Sequence, residues 1–141
     1  MTRRQGQANH FLRAAAEKIP YGIQRYVGEA ERLYGILDAR LSDRDYVAGP
    51  GRGKYSIADI SLVGWVNVSN FSGLDLAGQF PHVNAWLDRL LARPAVQRGL
   101  AVPGGSVSRI ANGNLEKEKW DEGRQIAEEA KKKYGYKYAS P

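Results

Sequence analysis

The sequence predicts an all-α fold of about five helices, followed by a charged C-terminal extension. Apolar residues recur at three- and four-residue steps through most of the first hundred positions, which is the period of a helix buried along one side. Proline and glycine interrupt this pattern where helices are expected to end. No segment combines period-two alternation with a hairpin turn signal, so strands are not expected.

The first two helices follow from their apolar stripes. The first stripe contains Ala8, Phe11, Leu12 and Ala15, and we expect Pro20 to end this helix, because the residue before a proline is disfavoured in the α region. The second stripe is the clearest in the chain and consists of Ile23, Tyr26, Val27, Ala30, Leu33, Tyr34, Leu37 and Leu41.

Glycine and proline place the later helices. Gly49 to Gly53 must form a loop, and a third helix begins at Ser56. This helix is apolar nearly all round, so we expect it to be central and buried. A fourth helix opens at Phe80-Pro81, and Pro94 starts a short fifth helix that runs through Leu100.

The chain is expected to divide into a compact domain and a tail. Residues 1–103 form the predicted helical domain, because Pro103 and the glycines after it mark the end of the regular pattern. Residues 104–141 are predicted to be a linker and a charged tail, either a surface helix or partly disordered.

Composition restricts the function classes. The 141 residues are 43% hydrophobic and 26% charged, as in globular proteins. There is no cysteine, which excludes a disulfide, a thiolate metal site or a cysteine nucleophile within these residues. The net charge of +6 is spread among acidic residues, so we expect neither nucleic-acid nor membrane binding. Without an apolar leader at the N-terminus, we expect a cytoplasmic protein.

The segment Tyr55 to Ile60 predicts a helix start in detail. The Ser56 hydroxyl can accept a hydrogen bond from the N3 amide, while the Asp59 carboxylate reaches back to the Ser56 amide, which is a capping box. Tyr55 and Ile60 then occupy the two positions of a hydrophobic staple. Such a box by itself specifies only where a helix begins.

In its context, this box resembles the signature of the C-terminal domain of the glutathione S-transferase superfamily. Other segments are similar to its nitrogen-regulator-like (nu-type) class, in the order that class has them. They are Gly6-Gln7-Ala8-Asn9-His10-Phe11, Ile19-Pro20-Tyr21-Gly22-Ile23-Gln24-Arg25-Tyr26, Leu33-Tyr34-Gly35-Ile36-Leu37, Trp65-Val66-Asn67 and Arg93-Pro94-Ala95-Val96. The resemblance covers about Gly6 to Leu100.

The resemblance implies glutathione as co-substrate and no other cofactor. The family reaction is conjugation of glutathione to electrophiles, or glutathione-dependent thiol–disulfide exchange. Family members begin with a thioredoxin-like domain that activates the thiol, and nothing of that domain precedes Gly6. We therefore expect weak or no activity from this chain alone, with a homodimer or a separate thioredoxin-like chain as partner. The alternatives are a non-catalytic helical interaction module and a truncated gene product.

The resemblance also implies three substrate-binding residues. His10 and Phe11 would line the pocket for the electrophile, and Arg25 would reach a glutathione carboxylate. Each has a simpler interpretation, because Phe11 could be a core residue and Arg25 could pair with Glu29 on the helix surface. We assign no catalytic residue.

Other candidate sites are disfavoured. Gly49 to Lys54 is not a phosphate loop. That motif needs a glycine at position 48 and a serine or threonine at position 55, where this sequence has Ala48 and Tyr55. His10 and His82 are isolated, so no metal site is expected. Tyr134, Tyr136 and Tyr138 could stack on single-stranded nucleic acid, although a packing or mobile tail explains them more simply.

Overall fold

The structure is a computed structural model that describes residues 2–102 and 117–136. Within these ranges the regular elements are all helical, which confirms the predicted all-α class. They are α1 (Thr2–Asn9), a π-helical segment (His10–Ala14), α2 (Pro20–Leu41), α3 (Ile57–Val66), a 3-10 helix (Ser69–Ser72), α4 (Leu76–Gln79), α5 (Pro81–Leu91), α6 (Pro94–Leu100) and α7 (Lys117–Lys133). The 3-10 helix and the four-residue α4 were not predicted.

Prolines begin three helices where the sequence places them. Pro20, Pro81 and Pro94 each stand in the first turn of α2, α5 and α6, where the missing amide hydrogen has no intrahelical partner to lose. Asp38 of α2 adds a cap to α5 by accepting hydrogen bonds from the amides of His82 and Val83, at 2.8 and 2.9 Å. The two helices are thereby joined at one end.

The end of the first helix differs from the prediction. It stops at Ala14 rather than near Pro20, because its last turn is π-helical and Ala15 is extended. The Ala15 amide donates to the His10 carbonyl at 2.8 Å, a bond that spans five residues. The Lys18 ammonium donates a hydrogen bond to the Leu12 carbonyl at 2.5 Å. Ala15 therefore lies outside the helix to which its periodicity assigned it.

The main core lies among α2, α3 and α5. Its largest fully buried side chains are Tyr34, Phe80 and Trp86, around which aliphatic residues of the same helices pack. Burial raises the pKa of the Tyr34 hydroxyl, although hydrogen bonds to Gln5 and Ser69 act in the opposite direction. That hydroxyl donates to Gln5 Oε1 at 3.0 Å and so ties α2 to α1.

A second cluster attaches α7 to the first two helices. It comprises Ala8, Leu12, Ile23, Val27, Ala127 and Ala130. The division of the chain at residue 103 stays a prediction, and the described part of the tail, α7, packs on α1 and α2. Of the predicted linker and tail, residues 104–116 and Tyr138 lie outside the described residues.

Helix α3 is not the buried central helix that its composition predicts. Asp59, Val63 and Val66 face the core, but Ile57 is 83% exposed and Ile60 is 54% exposed. Trp65 is also partly open to solvent. We call Ile57, Ile60 and Trp65 the α3 apolar face. The described residues leave most of Ile57 and more than half of Ile60 uncovered, so an all-round apolar sequence does not give all-round burial here.

Candidate functional site

The π-helical segment carries two of the predicted binding residues. The Phe11 ring stacks on Tyr26 with centroids 5.3 Å apart and an interplanar angle of 13°. The His10 ring meets the edge of Phe11, also at 5.3 Å. His10 is exposed and Phe11 is half-buried. The three rings form one aromatic cluster between the first helix and α2.

Gly22 permits this cluster. A Cβ built at Gly22 would lie 3.0 Å from two atoms of the Phe11 ring, closer than ordinary carbon contacts allow. The π turn adds one residue to the helical repeat and so changes where the following side chains point. The sequence marked Gly22 only as part of a family segment, and it contained no local signal for a π turn.

Arg25 is exposed on α2, one position before Tyr26. Its simpler interpretation, a pair with Glu29, is wrong, because both Glu29 oxygens bind Arg32 instead, at 2.9 and 3.0 Å. That bidentate hydrogen bond is the main reason that the pKa of Glu29 is lowered, with weaker attractions from Arg4 and Arg25. Within residues 2–102 and 117–136, Arg25 forms no ion pair, so its guanidinium can meet a ligand carboxylate.

The predicted capping box is present at the start of α3. Ser56 Oγ accepts from the Ala58 amide at 3.3 Å, and Asp59 Oδ2 accepts from the Ser56 amide at 3.0 Å. Tyr55 packs against the main core, under the Arg93 guanidinium at 3.9 Å from the ring centroid. Ile60 is exposed, so the staple is not closed in the way the spacing suggested.

Sequence reasoning missed the rest of the Asp59 network. The carboxylate is fully buried, and its Oδ1 accepts from the Val47 amide at 3.1 Å and from Trp86 Nε1 at 2.9 Å. Both partners are distant in sequence, so capping-box spacing could not reveal them. These contacts link the start of α3 to the loop before it and to α5.

Two adjoining cavities lie between α7 and the connection from the π-helical segment to α2. Their volumes are about 230 and 330 Å³, and both are lined by Lys18 and Ile126. Neither is lined by His10, Phe11 or Arg25. These two cavities are therefore separate from the predicted binding residues.

Two features of other site classes are absent from the part of the chain that the structure describes. No group of three or more His, Asp or Glu side chains there is arranged to hold a metal ion. None of its helices is both long and apolar enough to cross a membrane.

Comparison with known proteins gives consistent matches. The family model described as "Glutathione S-transferase, C-terminal domain" matches residues 23–94. The chain is 42% identical over 95 residues to "Disulfide-bond oxidoreductase YfcG" of Escherichia coli, covering 67% of this chain and 42% of that protein. It is 39% identical over 107 residues to "Glutathione S-transferase-like protein tpcF" of Aspergillus fumigatus, covering 68% of this chain and 47% of that protein.

A solved structure shares both fold and sequence. It is a glutathione transferase homolog from Lodderomyces elongisporus with two glutathione molecules per subunit, with a TM-score of 0.65 and 41% identity over 72% of this chain and 47% of that one. The chain thus spans less than half the length of these relatives. The family model covers half of the chain. The matched residues include most of α2 and all of α3 and α5, which build the main core. The chain belongs to the glutathione S-transferase family, of which it carries the helical C-terminal domain.

Proposed function

We propose that this chain is the helical half of a glutathione-dependent transferase or thiol–disulfide oxidoreductase. The observation that carries the proposal is the aromatic cluster of His10, Phe11 and Tyr26. The Arg25 guanidinium, which forms no ion pair with the described residues, is next to it in sequence. The relative from Escherichia coli is named a disulfide-bond oxidoreductase. The structure from Lodderomyces elongisporus contains glutathione. The first supports a thiol–disulfide reaction, and the second supports glutathione as the co-substrate.

The three predicted binding residues take different roles in this proposal. His10 and Phe11 provide a flat wall for the apolar part of the electrophile, because aromatic faces bury large apolar area in a fixed geometry. Arg25 binds a glutathione carboxylate, for which its planar and permanently charged guanidinium is suited. The proposal gives none of the three the role of base or nucleophile, so the chemistry requires another source of thiol activation.

We infer that the α3 apolar face is where a thioredoxin-like domain packs. Large apolar side chains that remain exposed and contiguous favour a contact surface, and Ile57 and Ile60 stand one helical turn apart on α3. The partner domain can belong to the same polypeptide or to a separate chain. It would supply the hydrogen-bond donor that stabilises the glutathione thiolate, since a thiol with an ordinary pKa is mostly protonated near neutral pH.

A second candidate is a non-catalytic helical module for protein–protein assembly. The α3 apolar face also favours this function, because such a module needs an exposed apolar surface and no thiol site. The two proposals differ in what Arg25 and His10 do. They are ligand contacts in the first and ordinary surface residues in the second.

Calorimetric titration with glutathione and a conjugation assay with 1-chloro-2,4-dinitrobenzene test the first proposal. Each measurement is made on the chain alone and again after adding the thioredoxin-like half of one of the relatives that this chain matches in part. We expect turnover only in the mixture, and Arg25→Gln to weaken glutathione binding there by about tenfold. Arg98→Gln, on the exposed side of α6, is the matched control.

Three outcomes of this experiment are informative. Turnover by the chain alone, well above the uncatalysed rate, would mean that helical residues build the thiol site. A mixture that associates but neither binds glutathione nor turns over would favour the assembly module. Equal effects of Arg25→Gln and Arg98→Gln would remove Arg25 from the site.

A further inference from the structure

Helix α7 contacts the π-helical segment that carries His10 and Phe11. Leu12 of this segment is fully buried in the cluster that includes Ala127 and Ala130. Arg13 donates from Nε to the Phe71 carbonyl at 2.9 Å. A Cβ built at Gly123 would lie only 3.1 Å from the Arg13 guanidinium. The side chains of the segment are therefore held between the 3-10 helix and α7.

The π conformation needs such support. A π turn is rare and is less favourable than the α turn it replaces, and the local sequence predicts an ordinary helix through this region. The bond from the Ala15 amide to the His10 carbonyl closes the last turn of the segment. Contacts from outside the segment must therefore select this conformation over the regular helix.

A buried ion pair fastens α7 to α2. The Lys131 ammonium lies 2.6 Å from Glu31 Oε1, and both side chains are nearly inaccessible to solvent. The pair joins positions that are 100 residues apart. Gln79 donates to the same carboxylate oxygen at 3.2 Å. Removing one partner of such a pair leaves a buried charge without compensation, which is strongly unfavourable.

Two further contacts extend the attachment along α7. Arg124 pairs with Asp75 at 2.8 Å, near the first half of the helix. Beyond its last turn, the Tyr136 hydroxyl donates to the Gly28 carbonyl at 2.8 Å. Helix α7 is thus held near its middle by Arg124, in its last turn by the buried Lys131, and just beyond its end by Tyr136.

We propose that α7 is a clamp for the π-helical segment and that Lys131 is a positioning residue for His10 and Phe11. Helix α7 lies outside residues 23–94, which the family model matches. The benefit to ligand binding rests on the proposed function, in which those two side chains form the wall of the pocket. The clamp itself can be tested without glutathione. A failure of the clamp can therefore be told apart from a failure of the proposed function.

Native-state hydrogen exchange on the unaltered chain is the first test. If α7 clamps the segment, the amides of residues 12–15 and of α7 open together, with one opening free energy and one dependence on denaturant. The amides of α5 in the main core should open only at higher free energy. Amides of the π-helical segment that open independently of α7 would overturn the proposal.

The two histidines allow a second test. His10 reports on the π-helical segment, and His82, on α5, is an internal control in the same ¹H–¹³C spectrum. In the Lys131→Met variant we expect the chemical shift of the His10 signal to change. We also expect the Ala15 amide hydrogen to exchange at least about tenfold faster, as in a segment that opens locally. The His82 signal should stay in place. Lys132→Met makes the same change at an exposed neighbour and should leave both signals unchanged.

A double variant keeps the test decisive if Lys131→Met fails to fold. Glu31→Gln combined with Lys131→Met removes both charges, and we expect it to fold with Ala15 protection between that of the unaltered chain and of the single variant. Unchanged His10 and Ala15 signals in a variant whose α7 amides have lost protection would overturn the clamp. Equal shifts of His10 and His82 would do so too, because they would indicate a general loss of structure.

Discussion

The indole nitrogen of Trp86 donates a hydrogen bond of 2.9 Å to Asp59 Oδ1. The carboxylate that begins α3 therefore also holds the largest buried side chain of α5. The Val47 amide donates to the same oxygen, so the loop before α3 is fixed as well. One buried carboxylate joins three segments of the main core.

From this network we predict that Asp59→Ala destabilises the fold more than Ser56→Ala does. Ser56→Ala removes one cap and should cost about 0.5–2 kcal/mol. Asp59→Ala leaves the buried Trp86 donor without an acceptor, at about 1–3 kcal/mol, and also removes the acceptor of the half-buried Val47 amide. Urea unfolding measures both, with Ser61→Ala on the exposed side of α3 as control. Equal losses for Asp59→Ala and Ser56→Ala would mean that the distant donors find other partners.

The Lys131–Glu31 pair predicts loss of stability in alkali. Burial by itself lowers the pKa of Lys131, but hydrogen bonds to Glu128 and Glu31 outweigh it and raise that pKa above the ordinary value of 10.5. A raised pKa in the folded state gives stability that is complete below the unfolded pKa and is lost as pH rises through the folded one.

We therefore expect the free energy of unfolding to fall as pH rises above about 10.5. The fall should be shallower in Lys131→Met than in Lys132→Met, which removes an exposed lysine from the same helix. Denaturant unfolding between pH 9 and pH 12 provides the measurement. Parallel curves for the two variants would show that Lys131 is not the group responsible.

Two helical glycines predict opposite results for the same substitution. Gly64→Ala should stabilise by about 0.5–1 kcal/mol, since alanine is the better helix former and a Cβ there meets no other atom within 4 Å. Gly28→Ala should gain less or destabilise, because its Cβ would lie 2.6 Å from the Tyr136 ring. In a Tyr136→Ala background, Gly28→Ala should become as favourable as Gly64→Ala. Thermal unfolding of the four variants decides this, and an unchanged effect of Gly28→Ala in that background would contradict it.

The α3 apolar face predicts dye binding or self-association by the chain alone. An exposed apolar surface of this kind binds apolar dyes and promotes dimers or aggregates. Ile57→Lys combined with Ile60→Lys should reduce both, whereas Ile36→Lys, at an isolated exposed position on α2, should not. Dye fluorescence and light scattering at increasing concentration measure the effect. A chain that stays monomeric and binds no dye would argue against a partner domain on this face.

The sequence alone determined the helical class and most helix starts, because both are local properties. Apolar spacing reports the period of a helix. A proline has no amide hydrogen and is therefore disfavoured inside a helix, whatever surrounds it. The Ser56–Asp59 box could likewise be predicted, since its partners are three residues apart. Family membership also followed from short segments in order, without reference to contacts between them.

The candidate site was only partly accessible to such reasoning. His10, Phe11 and Arg25 were named from the resemblance, but the stacking of Phe11 on Tyr26 and the pairing of Glu29 with Arg32 depend on side-chain directions. The π turn is a small departure from the α-helix that the surroundings select. Local propensity is too weak to decide between two geometries so close in free energy.

Only the tertiary structure decided what α3 and α7 do. Composition indicated that α3 is buried, whereas burial depends on whether another surface covers it, and the described residues leave Ile57 and Ile60 exposed. The charges of α7 indicated a surface helix, yet Lys131 is buried because Glu31 lies opposite it. A contact between residues 100 positions apart exists only once the chain has folded, so no local pattern could contain it.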